Sequence, residues 1–489
     1  MSTTEMTVVA QRRARPLAGE LGGKSGRIPA WAYSWGVAGL FGVLYTLLSV
    51  RRHDQQLTAG FDLGIFEQAV RAYAHLQAPV TPLKGAGFNV LGDHFSPAIA
   101  LLAPFYRLFP SPVTLLVAQS VLLSLAIVPL ADWARRVRGP RAALVVGFGL
   151  GASWGIVQAA DFDFHEIAFA VPLIAFAVRA LGEERWRAAA LWALPLLLVK
   201  EDQGLTVAAV GVYIALRGPR RLGLWLTAAG ALGTCFEVLV VLPALNAHGG
   251  FDYWQQVTGG GSATTGGVTQ AGGDGSLVSL LLHVPWPGVK WVTLLMLLAP
   301  TAFVALRSPL TLLCAPTLLW RFASGNSHYW GVAYHYSAVL MPIVFAGFVH
   351  GLTRLRLRPR VRRGVLAASA AVTLATIPFF PLRELALPSE WTTSPHVRAA
   401  NTVLAEIPDG VTVAASNRLA AQLVHRATVT LVCAPQPTTT GPDWVVVDAT
   451  DSRAVAPCSS DAAEAALAGY EAQGYQLVDS EDGVTLLRR

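Results

Sequence analysis

A chain of 489 residues that is 53% hydrophobic, 14% charged and has a mean hydropathy of +0.47 is too apolar to be a soluble globular protein, which would carry roughly a quarter charged residues. The net charge of +7 is unevenly spread: from Arg383 onward there are 7 Lys/Arg against 13 Asp/Glu, so the rest of the chain is at +13. Its arginines cluster in short loops between apolar runs, as orientation signals do, and this excludes a nucleic-acid surface.

Residues 1–29 are polar, basic and Gly-containing, with no apolar core of a cleavable signal. They read as a disordered cytoplasmic tail. Eleven apolar runs follow, at 31–50, 113–131, 142–160, 167–181, 188–199, 205–216, 222–242, 289–306, 310–322, 337–352 and 364–381. Runs near the spanning length predict a polytopic α-helical membrane protein of about 11 spans over 30–382. Arg135 to Arg141, Arg185 and Arg187, Arg217 to Arg221, Arg307 and Arg354 to Arg363 then fall on one side with the N-terminus. By the positive-inside rule that side is cytoplasmic.

The opposite side collects the unusual polar clusters. A large first outer loop, 51–96, holds Asp62, Glu67, Lys84, Asp93 and His94. Leu63, Phe66, Val70 and Tyr73 recur in it at helical spacing, which predicts an interfacial helix over 61–76. The turn after the third span is Asp161-Phe162-Asp163-Phe164-His165-Glu166, and the one after the fifth is Lys200-Glu201-Asp202. A Gly-rich tract, Gly259 to Gly267, reads as flexible. His328 and His335 sit among Tyr329, Trp330, Tyr334 and Tyr336, a pattern of an interfacial belt or a sugar platform.

The segment 383–489 changes character. Helices are expected over 396–407, 417–425 and 461–473, and strands over 411–415, 428–433 and 444–447. A hairpin follows, with strands at 476–478 and 484–487 about Glu481-Asp482-Gly483. The alternation predicts a small extracytoplasmic α/β domain without a P-loop or dinucleotide fingerprint. Cys433 and Cys458 can pair only if that domain faces an oxidising compartment.

Asp62, at the start of an amphipathic helix, is a candidate general base, or simply a helix N-terminal acid. Asp93 and His94 form a candidate acid/base or metal pair. If 161–166 is helical, Asp163 shares a face with Glu166, and Asp161 with His165. Carboxylates and an imidazole there could supply part of the shell of a divalent cation such as Mg, Mn or Ca, although no metal motif is present. Lys200, beside Glu201 and Asp202, could hold a lipid phosphate as a point charge.

The stretches Phe61-Asp62-Leu63-Gly64-Ile65-Phe66-Glu67-Gln68, Gly92-Asp93-His94-Phe95-Ser96-Pro97, Asp163-Phe164-His165-Glu166 and Lys200-Glu201-Asp202, with Ala414-Ala415-Ser416-Asn417-Arg418-Leu419 and His425-Arg426, resemble the bacterial DUF2079 family. The similarity runs from about 51 to about 449 and leaves the first 29 residues outside it. That family looks like a distant branch of the GT-C glycosyltransferases. The resemblance implies a plasma-membrane enzyme that transfers a sugar from a polyprenyl-phosphate donor to a cell-envelope acceptor, glycan or lipid, on the extracytoplasmic face. It makes Asp62 the matching catalytic acid, with Asp-Leu-Gly where better-known members have paired acids, so Asp93 stays open as the base. His94, Asp161, Asp163, His165, Glu166, Lys200, Glu201, Asp202, His328 and His335 are the expected substrate contacts. Two other readings stand beside it: a flippase for a lipid-linked saccharide, and a non-catalytic glycan-binding assembly protein. The clustering at one face and the lack of an inverted repeat weigh against the flippase.

Overall fold

The first apolar run folds, in the computed structural model, as helix Ala32–Asp54, which ends in Arg51, Arg52 and His53. The structure describes residues 29, 31–246, 249, 287–355, 358–434, 441–450 and 457–489. The expected N-terminal tail (Pro29 apart) and the Gly259–Gly267 tract lie outside the described residues.

Among the described residues three helices are long and apolar enough to cross a bilayer: Ala32–Asp54, Pro112–Arg138 and Arg220–Leu245. Pro140–Gly151 and Trp154–Asp161 make a fourth if taken together, with a bend of 44° between them. Other apolar runs fold as shorter helices, among them Trp186–Leu198, Gln203–Arg217, Val289–Thr301 and Leu340–Arg354. The eleven expected spans are therefore not all continuous helices of spanning length. The run expected at 289–306 shows why, because Ala302 and Phe303 take positive φ values of 47° and 59° and break it. Pro309 likewise opens a 3₁₀ segment, Pro309–Cys314, before the helix Ala315–Ala323.

The C-terminal segment forms one five-stranded sheet from β1 (Thr412–Ala415), β2 (Thr428–Leu431), β3 (Trp444–Asp448), β4 (Gln476–Glu481) and β5 (Val484–Arg488). The strand order is β2-β1-β3-β5-β4. β1 pairs in parallel with β2 and β3, while β5 pairs antiparallel with β3 and β4. Helix Asn417–Leu423 supplies the crossover between β1 and β2. The β4–β5 hairpin turns at Asp482 and Gly483, both with positive φ, as a two-residue turn between twisted strands requires.

This sheet does not stand apart from the loop at 51–96. Leu63, Phe66, Ala69 and Val70, from that loop, share one apolar core with Leu419, Leu423, Val429 and Val445. Polar contacts stitch the same seam. Gln68 Nε2 donates to the Val429 carbonyl at 2.9 Å, and Arg71 donates to the carbonyls of Val424 and Ala427 at 2.7 and 2.9 Å. Gln56 Nε2 donates to Asn401 Oδ1 at 2.8 Å. Each such bond contributes on the order of 1 kcal/mol net, and several together fix the orientation of loop and sheet.

The helix expected over 61–76 is present as Ile65–Ala74; its apolar face packs into the core shared with the sheet, and it buries Glu67. Tyr106 Oη donates to Glu67 Oε1 at 2.8 Å. Burial pushes the Glu67 carboxyl up to about 8 from 4.5, against the hydrogen bond of Tyr106 and the charge of Arg71. Between those values the folded chain keeps a proton that the unfolded chain has released, so stability falls as pH rises. Glu67→Gln keeps the shape and removes the titration. Its melting temperature in detergent is expected to decline less than the wild type's from about pH 5 to about pH 8, and parallel declines would refute this assignment.

Candidate functional site

Asp62 sits on a wide π-helical turn, Gly60–Gly64, that leads into helix Ile65–Ala74. Such turns leave unpaired backbone donors at their start. Here Ala59 N–H donates to Asp163 Oδ2 at 2.7 Å and Phe61 N–H donates to Asn417 Oδ1 at 2.6 Å. Two side chains remote in sequence therefore hold the segment that presents Asp62.

The Asp62 carboxyl faces His165, with Oδ1 3.6 Å from Nε2. His165 is itself fixed. Its backbone N–H donates to Gln119 Oε1 at 3.0 Å, its Nδ1 lies 3.0 Å from the Asp163 carbonyl oxygen, and its ring stacks on His335 at 3.9 Å. A carbonyl oxygen can only accept, so the neutral ring carries its proton on Nδ1 and offers the Nε2 lone pair to Asp62. Burial pushes the imidazole of His165 down to about 4, so it is neutral at physiological pH. Burial, reinforced by the Asp163 charge, holds Asp62 well above the usual carboxylate range. About 36% of the Asp62 side chain still touches cavity space, but protein encloses the carboxyl on the other sides. An acid of raised affinity for protons beside a neutral imidazole acceptor forms a proton-handling pair.

Three ion pairs surround it. Lys200 Nζ lies 2.7 Å from Glu166 Oε1, Lys84 Nζ 3.1 Å from Asp93 Oδ2, and His94 Nδ1 2.8 Å from Glu201 Oε1. Burial works against ionised Glu166, but Lys200 and His165 pull it down to about 2. Lys200, which burial alone would discharge, is held charged by Glu166, Glu201 and Asp202. Burial also opposes the charge on Asp93, yet His94 and Lys84 bring it below its ordinary value. Asp202 is the exception among these acids, pushed up to about 6 by burial. Phe95 N–H donates to Glu201 Oε2 at 3.1 Å and Thr234 Oγ1 to the Glu201 carbonyl at 2.8 Å, so the loop at 51–96 and helix Arg220–Leu245 meet at Glu201. At Gly92 any Cβ would come within 2.5 Å of the Leu245 backbone, which is why the chain beside Asp93 needs glycine.

Asp62 and His165, with Lys84, Asp93, His94, Lys200, Glu201 and Asp202, line one cavity of about 510 Å³. Its lining is mixed: Asp62, Lys84, Asp93, His94, His165 and Lys200 supply charged and polar groups, and Leu205, Val238, Leu239 and Trp320 supply apolar surface. Leu239 is 63% exposed, so part of the apolar lining reaches the surface of the helical bundle.

Of the residues expected from sequence, Asp62, Asp93, His94, His165, Lys200, Glu201, Asp202 and His335 line this cavity. Asp161, Asp163, Glu166 and His328 do not. Asp161 pairs with Arg52 at 3.5 Å, Asp163 holds the Ala59 amide, and Glu166 backs Lys200. His328 packs edge-on against Tyr334 at 5.3 Å, away from the lining. The stretch 161–166 is not one helix. Helix Trp154–Asp161 stops there, and Phe162 and His165 are extended, so the pairing of Asp163 with Glu166 and of Asp161 with His165 on shared helical faces does not occur. Lys84 and Gln203 also line the cavity and were not expected as contacts, and Tyr329 and Tyr336, from the aromatic cluster read as an interfacial belt or a sugar platform, line it too. A signal for Lys84 existed, because the chain has only four lysines against 33 arginines. Asn417 had no such signal, since nothing in its spacing says which loop it meets.

Among the described residues no three His, Cys, Asp or Glu side chains converge as a metal-binding set. Of the acids that line the cavity, Asp93 and Glu201 are each committed to a cationic partner, while Asp62 faces neutral His165 and Asp202 accepts from Gln203.

Fold and site together define a helical membrane protein that carries a small C-terminal sheet and, in its helical part with the loop at 51–96, a charged cavity. The chain belongs to the DUF2079 family of predicted membrane proteins, whose family model matches residues 52–486. No curated protein matches it in sequence. Among solved structures, ArnT from Cupriavidus metallidurans bound to undecaprenyl phosphate is similar at a TM-score of 0.53 and 16% identity, over 92% of this chain and 98% of that one. ArnT in its apo state aligns at a TM-score of 0.49 and 15% identity, over 93% and 98%. The likeness is one of fold.

Proposed function

We propose that the protein is a membrane glycosyltransferase that moves a sugar from a polyprenyl-phosphate carrier to a cell-envelope acceptor, glycan or lipid. The observation that carries this reading is one cavity whose lining joins a proton-handling carboxyl, Asp62, to the cationic groups Lys84 and Lys200 and to apolar side chains that include the exposed Leu239. The fold supports it, because ArnT, which is similar in fold, has been solved with undecaprenyl phosphate bound.

In this mechanism the lipid phosphate lies at Lys200 and Lys84 and its isoprenoid chain leaves past Leu205 and Leu239. An ammonium has three N–H donors, and Glu166 needs only one from Lys200. Asp62 as carboxylate takes the acceptor hydroxyl proton while the acceptor oxygen attacks the anomeric carbon. The bond from that carbon to the phosphate oxygen breaks on the opposite face, the electron pair leaves with the lipid phosphate, and the configuration inverts. Neutral His165, a weaker base than Asp62, faces the protonated carboxyl with its Nε2 lone pair, and the proton passes from Asp62 to water as the products leave. Asp93 is the weaker choice for the base because its ion pair with Lys84 lowers its proton affinity. The cations Lys200 and Lys84 balance the charge of the phosphate.

The test is full-length protein in lipid vesicles given polyprenyl-phosphate sugars with a radiolabel. Label is expected in the acceptor, with lipid phosphate released. Movement of the lipid-linked saccharide across the bilayer without transfer, or glycan binding alone, contradicts the proposal.

We further place the sheet on the extracytoplasmic side of the bacterial plasma membrane, with the N-terminus inside. Cys433 and Cys458 are bonded, with Cα atoms 6.0 Å apart, and disulfides persist in oxidising compartments. On intact cells an impermeant thiol reagent is expected to label both cysteines only after an impermeant reductant. Labelling that needs permeabilised cells would reverse the orientation.

A further inference from the structure

In an open α/β sheet the crevice beyond the carboxyl ends of the strands, where the strand order reverses, is the usual seat of a ligand. Here that place lies between β1 and β3, just beyond Ala415 and Asp448. Ser416 joins the two strand ends, its backbone N–H donating to the Val446 carbonyl and its hydroxyl accepting from Asp448 N–H at 3.1 Å. The next residue, Asn417, carries the only side chain within hydrogen-bond range of the Phe61 amide among the bonds described, at 2.6 Å. The backbone of the Gly60–Gly64 turn therefore packs against this end of the sheet, next to a small pocket lined by Arg418, Asp448 and Thr450.

The approach there is as close as backbone allows. A Cβ on Gly60 would stand 2.6 Å from the Ala420 methyl and 3.1 Å from the Asn417 carbonyl oxygen. Gly60, Phe61 and Asp62 are consecutive in the π-helical turn that aims the carboxyl at His165. Asp163 anchors the same turn from the membrane half through Ala59. The turn is thus held between two acceptors, one from each half of the molecule.

We propose that Asn417 is a positioning residue for Asp62, so that the C-terminal sheet completes the active site instead of only presenting an acceptor to it. The proposal rests on the reading of Asp62 as the base. Removing the acceptor leaves the Phe61 amide to find another partner, and the turn relaxes. A shift of about an ångström at a reacting group lowers turnover on the order of a hundredfold. Asn417→Ala is therefore expected to lose turnover on that scale while the KM for the lipid-linked donor, set elsewhere in the cavity, stays near the wild-type value.

Two other variants separate positioning from folding. Asn417→Asp keeps an acceptor for Phe61 and is expected to restore most of the turnover. Its added carboxylate should move the acidic limb of the pH profile upward, because a second negative charge raises the proton affinity of Asp62. Ala420→Leu pushes on Gly60 from the sheet and is expected to copy Asn417→Ala with Asn417 intact. Hydrogen exchange on the full chain in nanodiscs gives a readout independent of activity. Residues 59–65 are expected to exchange faster in Asn417→Ala, with β1 and β3 still protected. The proposal is overturned if Asn417→Ala turns over like the wild type. It is also overturned if exchange at 59–65 is unchanged, or if β1 and β3 lose protection and Asn417→Asp restores nothing. If the wild type transfers no sugar, the functional reading fails, and the exchange data alone then decide whether Asn417 holds the turn.

Discussion

Asp62→Asn is expected to reduce sugar transfer by about 10²–10⁴-fold, the contribution of a positioned general base, with little change in donor affinity. The substitution keeps the size of the side chain and its place on the π-helical turn, so Phe61 and Ala59 keep their acceptors. What it removes is the group that can take a proton beside the neutral Nε2 of His165. The pH dependence has a definite sign. Burial and Asp163 raise the Asp62 proton affinity, so wild-type turnover should climb with pH along a limb displaced upward from an ordinary carboxylate. That limb should vanish in Asp62→Asn. Steady-state rates across pH, with folding checked by size exclusion, measure both effects. A wild-type rate in the variant, or a limb unchanged by it, would remove Asp62 from the chemistry.

The second large effect concerns Lys200 and Glu166. The two side chains are 17% and 1% exposed, so this pair lies within the protein. Lys200→Met leaves Glu166 as an uncompensated buried charge, and breaking such a pair costs about 3–5 kcal/mol. That variant should melt early and bind lipid phosphate poorly, and the two losses would be confounded. The double variant Lys200→Met/Glu166→Gln separates them, since it removes both charges and keeps the volume. It is expected to regain most of the lost stability while transfer stays low. If the double variant also regains transfer, Lys200 serves only to neutralise Glu166, and the phosphate is held by other groups.

Much of the fold was legible because short-range patterns encode it. The strands β1 to β5 fall where β-branched runs alternate with turns, and the helix Ile65–Ala74 falls where Leu63, Phe66 and Val70 repeat. The spans were legible as apolar runs but not as continuous helices. Proline and left-handed residues such as Phe303 interrupt them without altering their hydropathy. The convergence of Asp62, Asp93, His94, His165 and Lys200 followed from assigning their loops to one side. Which acid pairs with which cation did not follow, because the pairs Lys84–Asp93, His94–Glu201 and Lys200–Glu166 are set by packing, two of them between segments far apart in sequence. Asn417 was visible only as part of a motif, and its role needs the seam between sheet and loop.

That seam changes the place of the sheet in the account. A separate acceptor-binding module would have its own core, whereas here Leu63 and Phe66 pack into the core that holds Leu419 and Val445. Removing the sheet would therefore expose the Asp62 turn as well, and activity should not survive in a truncated membrane half.

The most direct test of the central claim is a cryo-electron microscopy map, at side-chain resolution, of the full chain in nanodiscs with polyprenyl phosphate. The phosphate is expected beside Lys200 and Lys84, with its isoprenoid chain running past Leu205 and Leu239 to the bundle surface and Asp62 facing the phosphate across the same cavity. A phosphate bound elsewhere, or a cavity that stays empty while lipid phosphate saturates the protein, would contradict it.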